Sequence, residues 1–101
     1  MIGWTTVEKM EDAKRLVDGA IQQRLAACAQ IEGPVVSIYT WKDKVEMTPE
    51  FRLVYKFPVE TADRLAGWIR ENHPYEIPEW IVFQADMVSS EYMAWAKEVC
   101  Q

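Results

Sequence analysis

The sequence predicts an α+β fold of the ferredoxin-like, split βαβ type, with the order βαββαβ and a closing C-terminal helix. Three observations predict this fold. Apolar residues recur at helical spacing in residues 8–27 and 60–72, and β-branched or alternating runs fill residues 2–7 and 35–57. A stiff proline corner then separates the second helix from a last strand. A chain of 101 residues is near the usual size of one domain, so we expect residues 1–101 to form a single domain.

A change in the spacing of apolar residues separates the predicted first strand from the predicted first helix. Ile2, Trp4 and Thr6 alternate on one face of a predicted strand at residues 2–7. From Glu8 to Ala27 the spacing is three and four residues, which indicates an amphipathic helix. Its predicted apolar stripe consists of Met10, Ala13, Val17, Ala20, Ile21, Leu25 and Cys28.

A central hairpin is predicted next. Gly33-Pro34 is typical of a turn, and the β-branched and aromatic residues 35–41 suit a strand. Residues 41–44 are polar enough for a hairpin turn, and residues 45–57 are extended again. Pro49 cannot donate to a strand ladder, so this long strand should have a bulge or an open edge there. A strand of this length should project beyond its own sheet and offer a place for another chain to pair.

The second half repeats the helix and strand pattern. Residues 60–72 are predicted to be helical, with a stripe of Ala62, Leu65, Ala66 and Ile69. Residues 80–87 are predicted to form the last strand. Ser89 or Ser90 should cap a final helix whose apolar positions are Tyr92, Trp95, Ala96 and Val99.

Two features predict association of identical chains. The middle strands carry large apolar groups on both faces, for example Val54 opposite Leu53 and Tyr55, while the helices of this fold cover one face. Five tryptophans are also many for a chain of this length, and aromatic residues are enriched in interface cores. We therefore expect a homo-oligomer.

Composition excludes several classes. The formal net charge is −5 and no basic cluster stands out, so nucleic acid is not an expected partner. The two cysteines form no CxxC pair, and no apolar run approaches the ~18 residues of a membrane span. No nucleophile–base–acid set and no glycine-rich phosphate loop occurs, so an enzyme is not expected. These observations predict a cytoplasmic, reduced protein that does not interact with membranes.

The corner at residues 73–80 holds the single histidine, two prolines, two acids and two aromatic residues. Pro74 moves His73 away from helical dihedral angles, so the preceding helix should end at Asn72. Rigid loops with such groups often carry function. The competing interpretation is structural: the prolines make a corner, Tyr75 packs, and His73 caps the helix end.

Five segments in register resemble one known family. They are Leu25-Ala26-Ala27-Cys28, Ser37-Ile38-Tyr39-Thr40-Trp41, Lys56, His73-Pro74-Tyr75-Glu76-Ile77-Pro78-Glu79 and Tyr92-Met93-Ala94-Trp95. Together they closely resemble the CutA family, the divalent-cation tolerance proteins, over residues 5–97. The resemblance implies a ferredoxin-like subunit in a tight trimer with the architecture of PII signalling proteins. It also implies a role in tolerance of copper and other divalent metals.

The resemblance also implies candidate copper ligands. Copper binding in some bacterial members is attributed to a cysteine on the first strand and two adjacent histidines at the corner. Here Trp4 stands at the first-strand position and Asn72 at the first histidine, which leaves His73. No bound cofactor is predicted beyond copper or another divalent metal ion.

From the residues themselves, the candidate metal ligands are His73, Glu76, Glu79 and Cys28, since imidazole, carboxylate and thiolate all bind divalent ions. The alternative is that the acids pair with Lys56 or with arginines of a neighbouring chain, and that Cys28 fills the core.

A second candidate site is a cleft between subunits. Lys56 could hold a small anionic ligand there or neutralise Glu76 of a neighbouring subunit. The aromatic residues that could stack on a small molecule, or pack at a trimer contact instead, are Tyr39, Trp41, Tyr75, Tyr92 and Trp95. Two function classes stay open: a metal-responsive binding protein, and a PII-like regulatory trimer with an anionic effector.

Overall fold

The computed structural model describes residues 1–100 and confirms the predicted α+β, split βαβ arrangement. The sheet order is β2-β3-β1-β4, and every neighbouring pair is antiparallel. The elements, with a short 3₁₀ turn at Val59–Thr61 before the second helix, are β1 (Ile2–Val7), α1 (Met10–Gln22), β2 (Cys28–Trp41), β3 (Lys44–Lys56), α2 (Ala62–Asn72), β4 (Ile81–Phe83) and α3 (Ser90–Val99).

β1 divides the two faces of the sheet as its alternation predicts. Gly3, Thr5 and Val7 are buried, and the intervening side chains lie on the opposite, half-exposed face. We call that second face the open face, because α1 and α2 cover the other one. The open face also carries Arg52, whose guanidinium lies 4.9 Å from the ring centre of Trp4 and bonds to a β2 carboxylate.

The covered face contains the core. Leu16 of α1 and Leu65 and Ile69 of α2 pack on Leu53 and Tyr55 of β3, and all five are essentially inaccessible. The Tyr55 hydroxyl donates to the carbonyl of Leu16 at 2.9 Å, which satisfies the one polar atom of that ring. The predicted stripe of α1 is wrong in part, because Met10 and Ile21 are exposed and Leu16, not included in it, is central.

Helix α1 is shorter than predicted and ends at Gln22 rather than at Ala27. Arg24 adopts a left-handed conformation with φ of 60°, and the amide of Leu25 donates back to the carbonyl of Ala20. A second bond runs from the amide of Arg24 to the carbonyl of Ile21. This is a Schellman motif, which ends the helix and turns the chain so that Leu25 enters the core.

The central hairpin is longer than predicted. Gly33-Pro34 does not form a turn between elements, because β2 continues from Cys28 to Trp41 through a bulge between Glu32 and Val35. Gly33 has φ of 122°, and a Cβ there would lie 3.0 Å from the carbonyl oxygen of Glu50, so only glycine suits the bulge. The hairpin turn itself is confirmed at Lys42 and Asp43, which both have positive φ.

The hairpin projects beyond the sheet, as its length predicts. β1 pairs with β3 only from Phe51 to Lys56, so residues 44–50 have β2 as their sole neighbour among residues 1–100. This overhang, residues 35–50, exposes large apolar side chains. The most exposed of them are Val36, Ile38, Val45 and Met47.

The last strand and helix are less buried than predicted. β4 covers only Ile81–Phe83 instead of residues 80–87. Ser89 caps α3, since its side chain accepts a hydrogen bond from the amide of Tyr92 at 3.2 Å. Of the predicted apolar positions of α3, Tyr92 and Trp95 are exposed and only Ala96 is buried.

Candidate functional site

The corner begins where the sequence predicts. α2 ends at Asn72, and His73 is extended with ψ of 137°, as a residue before proline prefers. The amide of His73 still donates to the carbonyl of Ile69 at 2.9 Å and so closes the last helical turn. The chain therefore leaves α2 in a fixed direction, and the His73 side chain of the corner lies at the end of β1.

The imidazole of His73 is held by three groups. The amide of Tyr75 donates to Nδ1 at 3.1 Å, so that nitrogen carries no proton. The proton is on Nε2, which donates to the carbonyl of Thr6 at 3.0 Å and lies 2.9 Å from the hydroxyl oxygen of Thr5. Burial lowers the pKa of His73, which agrees with a neutral ring. Both ring nitrogens therefore have protein partners, as the structural interpretation of the corner requires.

Tyr75 connects the corner to the base of the overhang. Its ring packs edge-on against His73, with centroids 4.8 Å apart, and its hydroxyl donates to Oε2 of Glu50. Glu50 is only 5% exposed, although it carries a carboxylate. Burial raises the pKa of Tyr75, and the hydrogen bond to Glu50 raises it further.

A groove of about 540 Å³ lies between the corner and the overhang. Its walls combine aromatic rings with carboxylates, and none of its lining residues is a lysine, an arginine or a histidine. We call it the acidic groove. It is lined by Thr6, Glu8, Ser37, Ile38, Tyr39, Trp41, Glu50, Tyr75, Glu76, Ile77 and Glu79.

Negative charges are close enough in the acidic groove to affect one another. The pKa of Glu79 is raised, first by burial and then by the charge of Glu50, and Arg52 partly opposes the shift. Arg52 does not line the groove, and its Nε donates to Glu32 at 2.9 Å. Among the described residues, the walls of the groove therefore carry carboxylates and no cationic side chain, and the nearby charge of Arg52 offsets part of their negative potential.

The predicted metal ligands do not converge within one chain. Cys28 pairs with Lys56, while Thr6, which holds His73, pairs with Arg52. Four residues along β3 place the two candidates roughly 13 Å apart. Among residues 1–100 no three histidine, cysteine, aspartate or glutamate side chains are arranged to hold a metal ion. Glu76 and Glu79 are exposed in the acidic groove, without a nitrogen or sulfur ligand beside them.

The predicted cleft residues divide between two places. Tyr39, Trp41 and Tyr75 line the acidic groove. Lys56 and Tyr92 line a second pocket of about 220 Å³ on the open face, which we call the lysine pocket. Trp95 lines neither pocket and packs against Tyr92 with ring centroids 5.5 Å apart.

Sequence reasoning missed one central residue of the acidic groove. Glu50 has the strand parity of Arg52 and Val54, so the alternation of β3 places it on the open face. That parity gives no sign of its burial, which depends on Tyr75, 25 residues further along the chain.

The family comparison agrees with this architecture. The family described as CutA1 divalent ion tolerance protein matches residues 1–99. The chain belongs to the CutA1 family. The divalent-cation tolerance protein CutA of Thermus thermophilus is 30% identical over 93 residues, which cover 92% of this chain and 90% of that protein. The chloroplastic CutA protein of Arabidopsis thaliana is 31% identical over 97 residues, 96% of this chain and 53% of that protein.

Solved CutA1 structures have the same fold. CutA1 from Oryza sativa superposes with a TM-score of 0.94 at 31% identity, covering 99% of this chain and 92% of that chain. CutA1 from Pyrococcus horikoshii superposes with a TM-score of 0.94 at 29% identity, covering 99% and 97%. The chain spans about half the length of several of the relatives it matches, including the human CutA protein at 50%. Within residues 1–100, no helix has the length and apolar character needed to cross a membrane.

Proposed function

We propose that this chain acts in divalent-cation tolerance as a homotrimer, in a binding rather than a catalytic role. The observation that carries the proposal is the match of the CutA1 family over residues 1–99. The name of the Thermus relative, which this chain nearly spans, supports the same role. Growth of a bacterium lacking its own CutA, with and without this chain, in graded copper, zinc and cobalt salts tests the role. Unchanged tolerance at matched expression would refute it.

The trimer proposal is supported by the overhang. Within residues 1–100, one edge of residues 44–50 pairs with no other strand, and Val45 and Met47 are 76% and 69% exposed. An unpaired edge with apolar side chains is a ready template for pairing with another chain. Interfaces of this apolar kind are typical of obligate oligomers, so dilution should not release a folded monomer. Light scattering at micromolar concentration should give three times the 11.8 kDa chain mass, and a monomeric mass would refute the trimer.

Copper is the metal that the resemblance favours, and we propose that this chain binds Cu(II) weakly. His73 can coordinate a metal only after giving up a bond from Tyr75 or to Thr6. Trp4 and Asn72 supply no thiolate or imidazole at the positions of the other expected ligands. Calorimetric titration with Cu(II) should therefore show weak binding that His73→Ala weakens further. Nanomolar affinity of the wild type would show that other residues coordinate the metal.

A PII-like regulatory trimer is the second candidate, and the lysine pocket favours it. Among the described residues that line this pocket, Lys56 has the only charged side chain, so the pocket suits an anion. Lys56→Ala should weaken binding of ATP or inorganic phosphate, with Lys44→Ala at the exposed hairpin tip as the matched control. Equal binding of ATP and phosphate by the Lys56→Ala and Lys44→Ala variants would remove Lys56 from an effector site.

We further propose that Lys56 meets Glu76 of a neighbouring subunit.

A further inference from the structure

We draw no further inference here: the strongest candidate, the lysine pocket between the amino end of β1, the carboxyl end of β3 and α3, belongs to the anion site already proposed, and nothing among residues 1–100 shows what covers its apolar walls.

Discussion

Replacement of His73 by alanine should destabilise the protein by about 2–4 kcal/mol. The imidazole contacts Thr5, Thr6 and Tyr75 through its two nitrogens. Thr5 is completely buried, so its hydroxyl would lose this partner, which costs about 1–3 kcal/mol. The amide of Tyr75 and the carbonyl of Thr6 would each lose a further bond, worth about 1 kcal/mol where water cannot replace it.

Urea unfolding at pH 7.5 and fixed protomer concentration measures this loss, because the stability of an oligomer depends on concentration. Thr5→Val removes the hydroxyl while keeping the side-chain shape. In the His73→Ala background it should therefore cost about 1 kcal/mol less than in the wild type. A loss below about 0.5 kcal/mol for His73→Ala, or strict additivity of the two changes, would refute the reasoning.

The same histidine predicts a pH dependence. Burial lowers the folded-state pKa of His73 below its usual value of about 6.5, so the unfolded chain binds more protons. The contribution is fully present above about pH 6.5 and is lost as the pH falls through that value toward the folded-state pKa. Because the chain has one histidine, the difference between wild type and His73→Ala isolates this term. A difference that stays constant between pH 5 and 7.5 would contradict it.

Three further substitutions test the fold by the same urea measurement. Arg24→Gly should stabilise the protein by about 0.5–1 kcal/mol, because glycine adopts the observed φ of 60° without strain, and a loss of stability would contradict the Schellman motif. Tyr55→Phe should cost about 1–2 kcal/mol, since the buried carbonyl of Leu16 loses its donor. Gly3→Ala should cost about 1–3 kcal/mol, because its Cβ would lie 2.6 Å from Trp80, and a neutral effect would mean that Trp80 moves freely.

Local patterns predicted most elements, and their failures have physical causes. For β1, β3 and α2, the spacing of apolar residues predicted bounds within about two residues of those observed. Gly33-Pro34 has residues typical of a turn, but β2 continues through it as a bulge and pairs with β3 on both sides. The end of α1 was missed because a non-glycine residue, Arg24, occupies the left-handed position.

Many residues of the candidate site were predicted from the sequence, but Glu50 was missed and the grouping of the others was not predicted. The corner residues and the aromatic residues of the hairpin were identified from the sequence, and they do line one groove. Lys56, Tyr92 and Cys28 were assigned to the same region, but the register of β3 places them at the other end of the sheet. Register depends on the pairing of whole strands, so no local pattern could separate the two groups.

The sequence by itself determined the order and type of the helices and strands and where the corner turns, because backbone sterics and the periods of 3.6 and 2 act over a few residues. Only the tertiary structure decided how the chemical groups are used. It gave both nitrogens of His73 protein partners and buried Glu50 beside Tyr75. The Nδ1 partner is local, but the Nε2 partners and the burial of Glu50 depend on contacts between segments 25 to 68 residues apart. Such contacts are fixed by strand register and packing, which every part of the chain determines together.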